Sequence, residues 1–157
     1  MRTASTSQAD ALEILAFRLH GQEFCVKTTS IREIRGWAPA TSLPHAPAEV
    51  IGVINLRGTV IPIVDLAVKL GMQGMVANER SAIIVAEVDS AVVGLLVDAV
   101  SDILTVPANS LQPVPQATSS GTDFSDGIIV QGATMICFLN LERMFAHSNC
   151  GDWAIAA

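Results

Sequence analysis

ILAFRLHGQEFCVKTTSIREI, residues 14–34, lies without a gap against IIVAEVDSAVVGLLVDAVSDI, residues 83–103, at a constant offset of 69 (83 against 14). Leu15 then meets Ile84, Leu19 meets Val88, Phe24 meets Val93, Val26 meets Leu95, Ile31 meets Val100, Glu33 meets Asp102 and Ile34 meets Ile103. In both copies two short aliphatic runs flank a polar turn, the pattern of a β-hairpin. The plain alternative is that any two aliphatic hairpins align loosely. A matched acidic residue following a matched β-branched one favours an internal duplication, hence two similar β-units in place of one large sandwich. The offset predicts that Phe24 superposes on Val93 and Ile34 on Ile103, all four pointing into equivalent cores.

Outside this repeat the same punctuation continues. Residues 50–55 and 59–64 flank a turn at Leu56, Arg57 and Gly58; residues 127–130 and 135–139 flank another at 131–134. Pro62 cannot donate to a sheet ladder and marks an edge or a bulge. Helical signals are short: Asp65 precedes Leu66 to Leu70, and Asn140 can cap Leu141 to Phe145. Ser30 with Glu33 fits a capping box, but Thr28, Thr29, Ile31 and Ile34 suit a strand equally well. Residues 116–126 are Ser, Thr, Gly and Gln around a single Phe124 and read as a loop. The class is all-β, with a few short helices.

The chain has 157 residues, half of them hydrophobic and 15% charged, with a formal charge of -6. That length suits one domain or two small lobes sharing a core. Its tight basic cluster, Lys27, Arg32 and Arg35, has Glu33 in its middle, which argues against a nucleic-acid partner. The longest apolar run, residues 91–97, is far shorter than the roughly 18–20 residues a membrane helix needs. Residues 1–13 lack the apolar centre of a signal peptide. Cys25, Cys137 and Cys150 form no CxxC pair and cannot all pair with one another. These features predict a cytoplasmic protein with free thiols.

Convergent catalytic groups are missing. His20 falls in a hairpin turn, His45 in a proline-rich loop and His147 in the tail, and no GxSxG elbow is present. No His or Cys pair has metal-ligand spacing. Gly71 and Gly74 lack the strand, loop and helix of a phosphate cradle. The expectation is a protein without enzymatic activity, cofactor or metal. Two small β-units cannot hide so many aliphatics, so apolar surface left outside points to protein interfaces.

The run Gly52, Val53, Ile54, Asn55, Leu56, Arg57, Gly58, continuing through Val60, Ile61, Pro62, Ile63, Val64, Asp65 and Leu66, resembles the signature of the CheW family of chemotaxis coupling proteins. The likeness extends from about Ile14 to Phe145, through residues 31–36 and 92–102. It implies two intertwined SH3-like barrels of about five strands each in a single CheW-like domain spanning 13–146, between a flexible segment 1–12 and a tail 147–157. It also implies a non-catalytic adaptor that joins chemoreceptor tips to the regulatory domain of the histidine kinase CheA. Membrane association would then be only indirect, through receptors. The same fold could serve a receptor and kinase pathway unrelated to motility; a small ligand-binding or hydrolytic barrel is the alternative from another class.

Carried over position by position, the resemblance implies receptor contacts at Ile31, Glu33, Gly52, Arg57, Ser81, Ala82 and Val100. Taken without it, Arg57 reads as a solvated turn residue, Glu33 as a surface cap, and Ile31 with Val100 as core. The family also carries a basic residue before a Pro-x-Pro segment and an aromatic two residues after it, for a second, ring-closing kinase contact. Those places hold Gln112 and Ala117 here, a departure that leaves that contact in question.

Overall fold

A computed structural model describes residues 11–74, 77–113 and 124–146. The 1–10 and 147–157 ends, most of the 116–126 loop, and Ala117 lie outside the described residues. Among the described residues are eleven strands: β1 (Ala11–Leu19), β2 (Gln22–Lys27), β3 (Ile31–Gly36), β4 (Val50–Leu56), β5 (Thr59–Asp65), β6 (Ala82–Val88), β7 (Ala91–Val97), β8 (Ala99–Pro107), β9 (Leu111–Gln112), β10 (Ser125–Gln131) and β11 (Thr134–Leu139). Two short helices, α1 (Leu66–Lys69) and α2 (Leu141–Ala146), follow β5 and β11. Asp65 Oδ1 accepts the amides of Ala67 and Val68, and Asn140 Oδ1 accepts that of Arg143, so both helices start on the expected caps.

The strands form two sheets, ordered β8-β1-β2-β11-β10-β9 and β3-β6-β7-β5-β4. They fit the two SH3-like units that the resemblance implies. Each hairpin of the 69-residue repeat anchors one barrel, but the strand that follows it crosses into the other. Thus β3 leaves β2 to pair with β6, and β8 leaves β7 to pair with β1. The segment 28–34, readable as cap or strand, is a 3-10 turn at Thr28–Ser30 followed by β3.

The duplication extends to the register. Ile34 pairs with Ile84 as Ile103 pairs with Leu15, and Ile31 with Ala86 as Val100 with Phe17. A one-residue bulge falls at the same place in both, leaving Arg32 and Ser101 without a partner. The later hairpins match at an offset of 75 (138 against 63). Ile54–Ile61 corresponds to Ile129–Ile136, and the bulge between Val50 and Gly52 to that between Ser125 and Gly127. The second bulge makes β10 begin at Ser125, two residues before the sequence pattern placed it.

Period-two alternation divides the apolar side chains among three cores. On β6, Ile83 and Val85 face inside the second barrel with Ile61, Ile63 and Leu96; Ile84, Ala86 and Val88 face the other barrel. On β1, Ile14 lies inside the first barrel with Cys25, Ile129 and Phe138, while Leu15, Phe17 and Leu19 enter the central core. Phe24 and Val93 are both buried there, as the repeat predicts. Ile34 and Ile103 are not: they are 43% and 52% exposed. They sit opposite Ile84 and Leu15 on the central face, but β3 and β8 are the outer strands of their sheets, so one flank of each side chain has no neighbour. Pro62 also departs from expectation, lying on an inner strand between β7 and β4. Its missing donor is harmless because pairing with β7 begins only at Ile63.

Candidate interaction surface

Arg57 and Gly58 are the two central residues of the β4–β5 turn, with φ of 52° and 89°, closed by the Leu56–Thr59 pair. Positive φ at both places is the pattern of a type I′ hairpin turn, which matches strand twist but favours Asn or Gly at its first position. From that turn Arg57 Nη2 reaches Glu33 Oε2 on β3 at 3.2 Å. Since β3 and β4 are the two outermost strands of their sheet, the contact shows how far the sheet curls round. Arg35, two residues on and therefore on the same face of β3, brings Nη1 within 3.7 Å of the same oxygen. Arg32, at the bulge, pairs with Glu87 at 3.6 Å.

Arg32, Glu33 and Arg57 rim an open cleft floored by Leu56, Ile61, Val85 and Val92. Each ion pair is exposed and adds little to stability. Electrostatically, three arginines against two glutamates leave a locally positive edge on a chain of net charge -6.

Ile31 and Val100, equivalent by the repeat, are both half-buried and pack against the central core beside the bulges where β3 and β8 change barrels. The other three positions of the expected receptor set lie inside the fold. Gly52 is buried, and a Cβ there would collide with the Thr41 carbonyl, which bridges to Val53. Ser81 is buried and its hydroxyl accepts the Asn78 amide at 2.9 Å, closing the loop into β6; Ala82, also buried, pairs with Gly36. The structure therefore brings Glu33 and Arg57 together, sets Ile31 and Val100 at matched seams, and leaves Gly52, Ser81 and Ala82 as packing. Gln112 is exposed on β9, paired with Ile128.

The sequence reading named Arg35 in the basic cluster and Asn55 in the signature run but gave neither a place in the site. The first was legible from its i, i+2 spacing to Glu33 on a strand, the second from its place three residues before Gly58. Nor was a role read for Lys69, whose ammonium lies 5.2 Å from the Phe145 ring, 5.8 Å from Phe124 and 3.7 Å from Glu49. That group ties α1 of one barrel to α2 of the other.

Of the three histidines, His147 lies outside the described residues. The His20 ring is 2.7 Å from the Gln73 carbonyl. Burial, reinforced by the nearby Cys137 thiol, pushes the Cys25 thiol up to about 12, and burial also raises Cys137 against the lowering effect of its hydrogen bond to Ser125. Among the described residues no group of three or more His, Cys, Asp or Glu could hold a metal ion, and no helix is long and apolar enough to cross a membrane.

The family model of the CheW-like domain matches residues 13–149. The chain belongs to the CheW-like family. Its relatives include a probable chemotaxis protein CheW of Rhizobium etli, 52% identical over 92% of this chain and 93% of that one. Another is the chemotaxis protein CheW of Rhizobium meliloti, 54% identical over 85% and 86%. Among solved structures, that of the scaffolding protein TtCheW from Thermoanaerobacter tengcongensis superposes with a TM-score of 0.79 at 30% identity, covering 85% of this chain and 92% of that one. The CheW-like fold, expected from the repeat and the resemblance, is thus the fold of this chain.

Proposed function

We propose that this protein is a non-catalytic adaptor that couples the cytoplasmic tips of chemoreceptors to the regulatory domain of the histidine kinase CheA, acting in the cytoplasm and reaching the membrane only through the receptors. One observation carries the reading beyond family membership. The backbone is duplicated down to its bulges and the acidic position recurs as Glu33 and Asp102, yet the arginines Arg32, Arg35 and Arg57 occur in one barrel only, where the other carries Ser101, Leu104 and Gly132. A feature of the scaffold itself would recur in both copies; a cluster found once suits a surface that meets a partner.

In this reading a helical receptor tip lays an apolar stripe along the seam beside Ile31 and Val100. Glu33 and Arg57 lie on the rim and set orientation, since rim charges act more on register and encounter than on raw affinity. Gly52, Ser81 and Ala82 contribute by holding β4 and β6 in place. The kinase docks elsewhere on the barrels, and its ring-closing contact near Gln112 and Ala117 is weak or missing. No bond is made or broken; the function is binding and geometry.

Titrating Ile31→Ala and Val100→Ala against a receptor cytoplasmic fragment and the kinase regulatory domain tests this. Burying one aliphatic side chain is worth roughly 1.5–3 kcal/mol, so receptor affinity should fall about tenfold or more while kinase affinity changes little. Equal losses for both partners would mean that the substitutions damaged the central core, and an unchanged receptor affinity would place its site elsewhere.

A further inference from the structure

We propose that Asn55 is a positioning residue for partner recognition, acting through Arg57; this rests on the adaptor reading given above. Arg57 occupies a left-handed conformation disfavoured for a side chain with a Cβ and no local hydrogen-bonding group. Asn55 Oδ1 accepts the Gly58 amide at 2.8 Å, a clamp from the strand onto the far side of the same turn. With Gly58 fixed, the peptide of Arg57 has one orientation, and its guanidinium is delivered to Glu33 at the cleft mouth.

Among the described hairpins a clamp from the turn's own strand is found at this tip alone. The β1–β2 and β6–β7 turns place His20–Gly21 and Asp89–Ser90 at their positive-φ positions, and β10–β11 places Gly132 where Arg57 stands. The residue matching Asn55 in that last hairpin is Val130, which has no acceptor to offer. A clamp from the turn's own strand therefore accompanies the one tip whose turn residue carries a long charged side chain, whereas the β1–β2 turn is held from outside its hairpin, Asp98 Oδ2 accepting the His20 amide at 2.7 Å. Asn55 itself is exposed, and its acceptor is spent on the turn.

The test titrates the full chain and the variants Asn55→Ala, Asn55→Asp, Arg57→Ala and the double Asn55→Ala/Arg57→Ala against the receptor fragment and the kinase regulatory domain, with thermal melts alongside. Asn55→Ala should weaken binding three- to tenfold for whichever partner Arg57→Ala weakens. Asn55→Asp, which keeps an acceptor oxygen in the same place, should bind within about twofold of the parent. In the Arg57→Ala background, removing Asn55 should cost nothing further. A loss of the same size in both backgrounds would make Asn55 a plain stability element and overturn the proposal. So would full affinity in Asn55→Ala when Arg57→Ala binds poorly, an outcome that leaves the adaptor reading standing. Should Asn55→Ala fail to fold, poor binding by a folded Asn55→Asp overturns the proposal in its place. If Arg57→Ala binds both partners like the parent, the role given to Arg57 falls and that of Asn55 with it, whereas losses in Ile31→Ala and Val100→Ala would still uphold receptor docking.

Discussion

The two barrels share a backbone and differ at their tips. In the second, the β4–β5 hairpin ends in Asn55, Arg57 and Val60 against Glu33; in the first, β10–β11 ends in Val130, Gly132 and Met135 with Asp102 at the matched place. One tip is charged. The other is apolar, with Val130 43% and Met135 67% exposed. Even where charges persist they are redistributed: Arg32 pairs with Glu87 in one barrel, while the matched Ser101 and Arg18 both contact Glu23 in the other. Register, bulges and helix caps have been kept because every buried pair depends on them. Tip side chains could diverge because exposed positions carry little of the folding free energy.

The strongest challenge to this comparison uses the matched glycines Gly52 and Gly127. Each sits at a bulge where a Cβ would strike a backbone carbonyl, that of Thr41 in one barrel and Gln112 in the other. Backbone yields less readily than side chain, so Gly52→Ala and Gly127→Ala should each cost about 2–3 kcal/mol in urea unfolding, the upper range for overpacking. Gly127 also has a φ of 153°, which adds strain for alanine. A large loss at one site and none at the other would show that the two bulges are not equivalent.

A second test exploits a core position where the barrels differ, Cys25 in the first and Gly94 in the second. At Gly94 the side chains of Ile63 and Ile83 fill the space, 2.6 and 2.9 Å from where a Cβ would stand. At Cys25 a thiol fills it, with its pKa raised from 9.0 to about 12 by burial. The unfolded chain ionises this thiol above pH 9 while the folded chain keeps its proton. Stability should therefore hold below pH 9 and fall by about 1.4 kcal/mol per pH unit between there and 12. Denaturant midpoints for Cys25→Ala should show a shallower alkaline decline; an identical decline would assign it to other groups.

The smallest effect is at the charged tip. Arg57→Glu should leave stability within about 0.5 kcal/mol, as exposed substitutions usually do, and Arg57→Asn should raise it by about 0.5 kcal/mol, because Asn–Gly suits a type I′ turn better than Arg–Gly. Both should lose receptor coupling. A variant that melts early would make Arg57 a structural residue after all, and one that keeps coupling would remove it from the docking surface.

The sequence by itself determined what is local. Four hairpins, the two capped helices and the offset of 69 follow from alternation, turn residues and side-chain caps, all of which act within a few positions along the chain. The motif around Arg57 was legible for the same reason, since its turn is closed by its own neighbours. Tertiary structure alone decided where β3 and β8 go. The residues leading into β3 read equally as cap or strand, because an outer strand is stabilised by a partner about 50 to 90 positions distant, Ile84 for Ile34 and Leu15 for Ile103. That exchange created the core between the barrels and left Ile34 and Ile103 half outside it. It also carried Glu33 round to Arg57, and turned Gly52, Ser81 and Ala82 inward. Burial depends on which surfaces the whole chain brings together, and no local pattern contains that information.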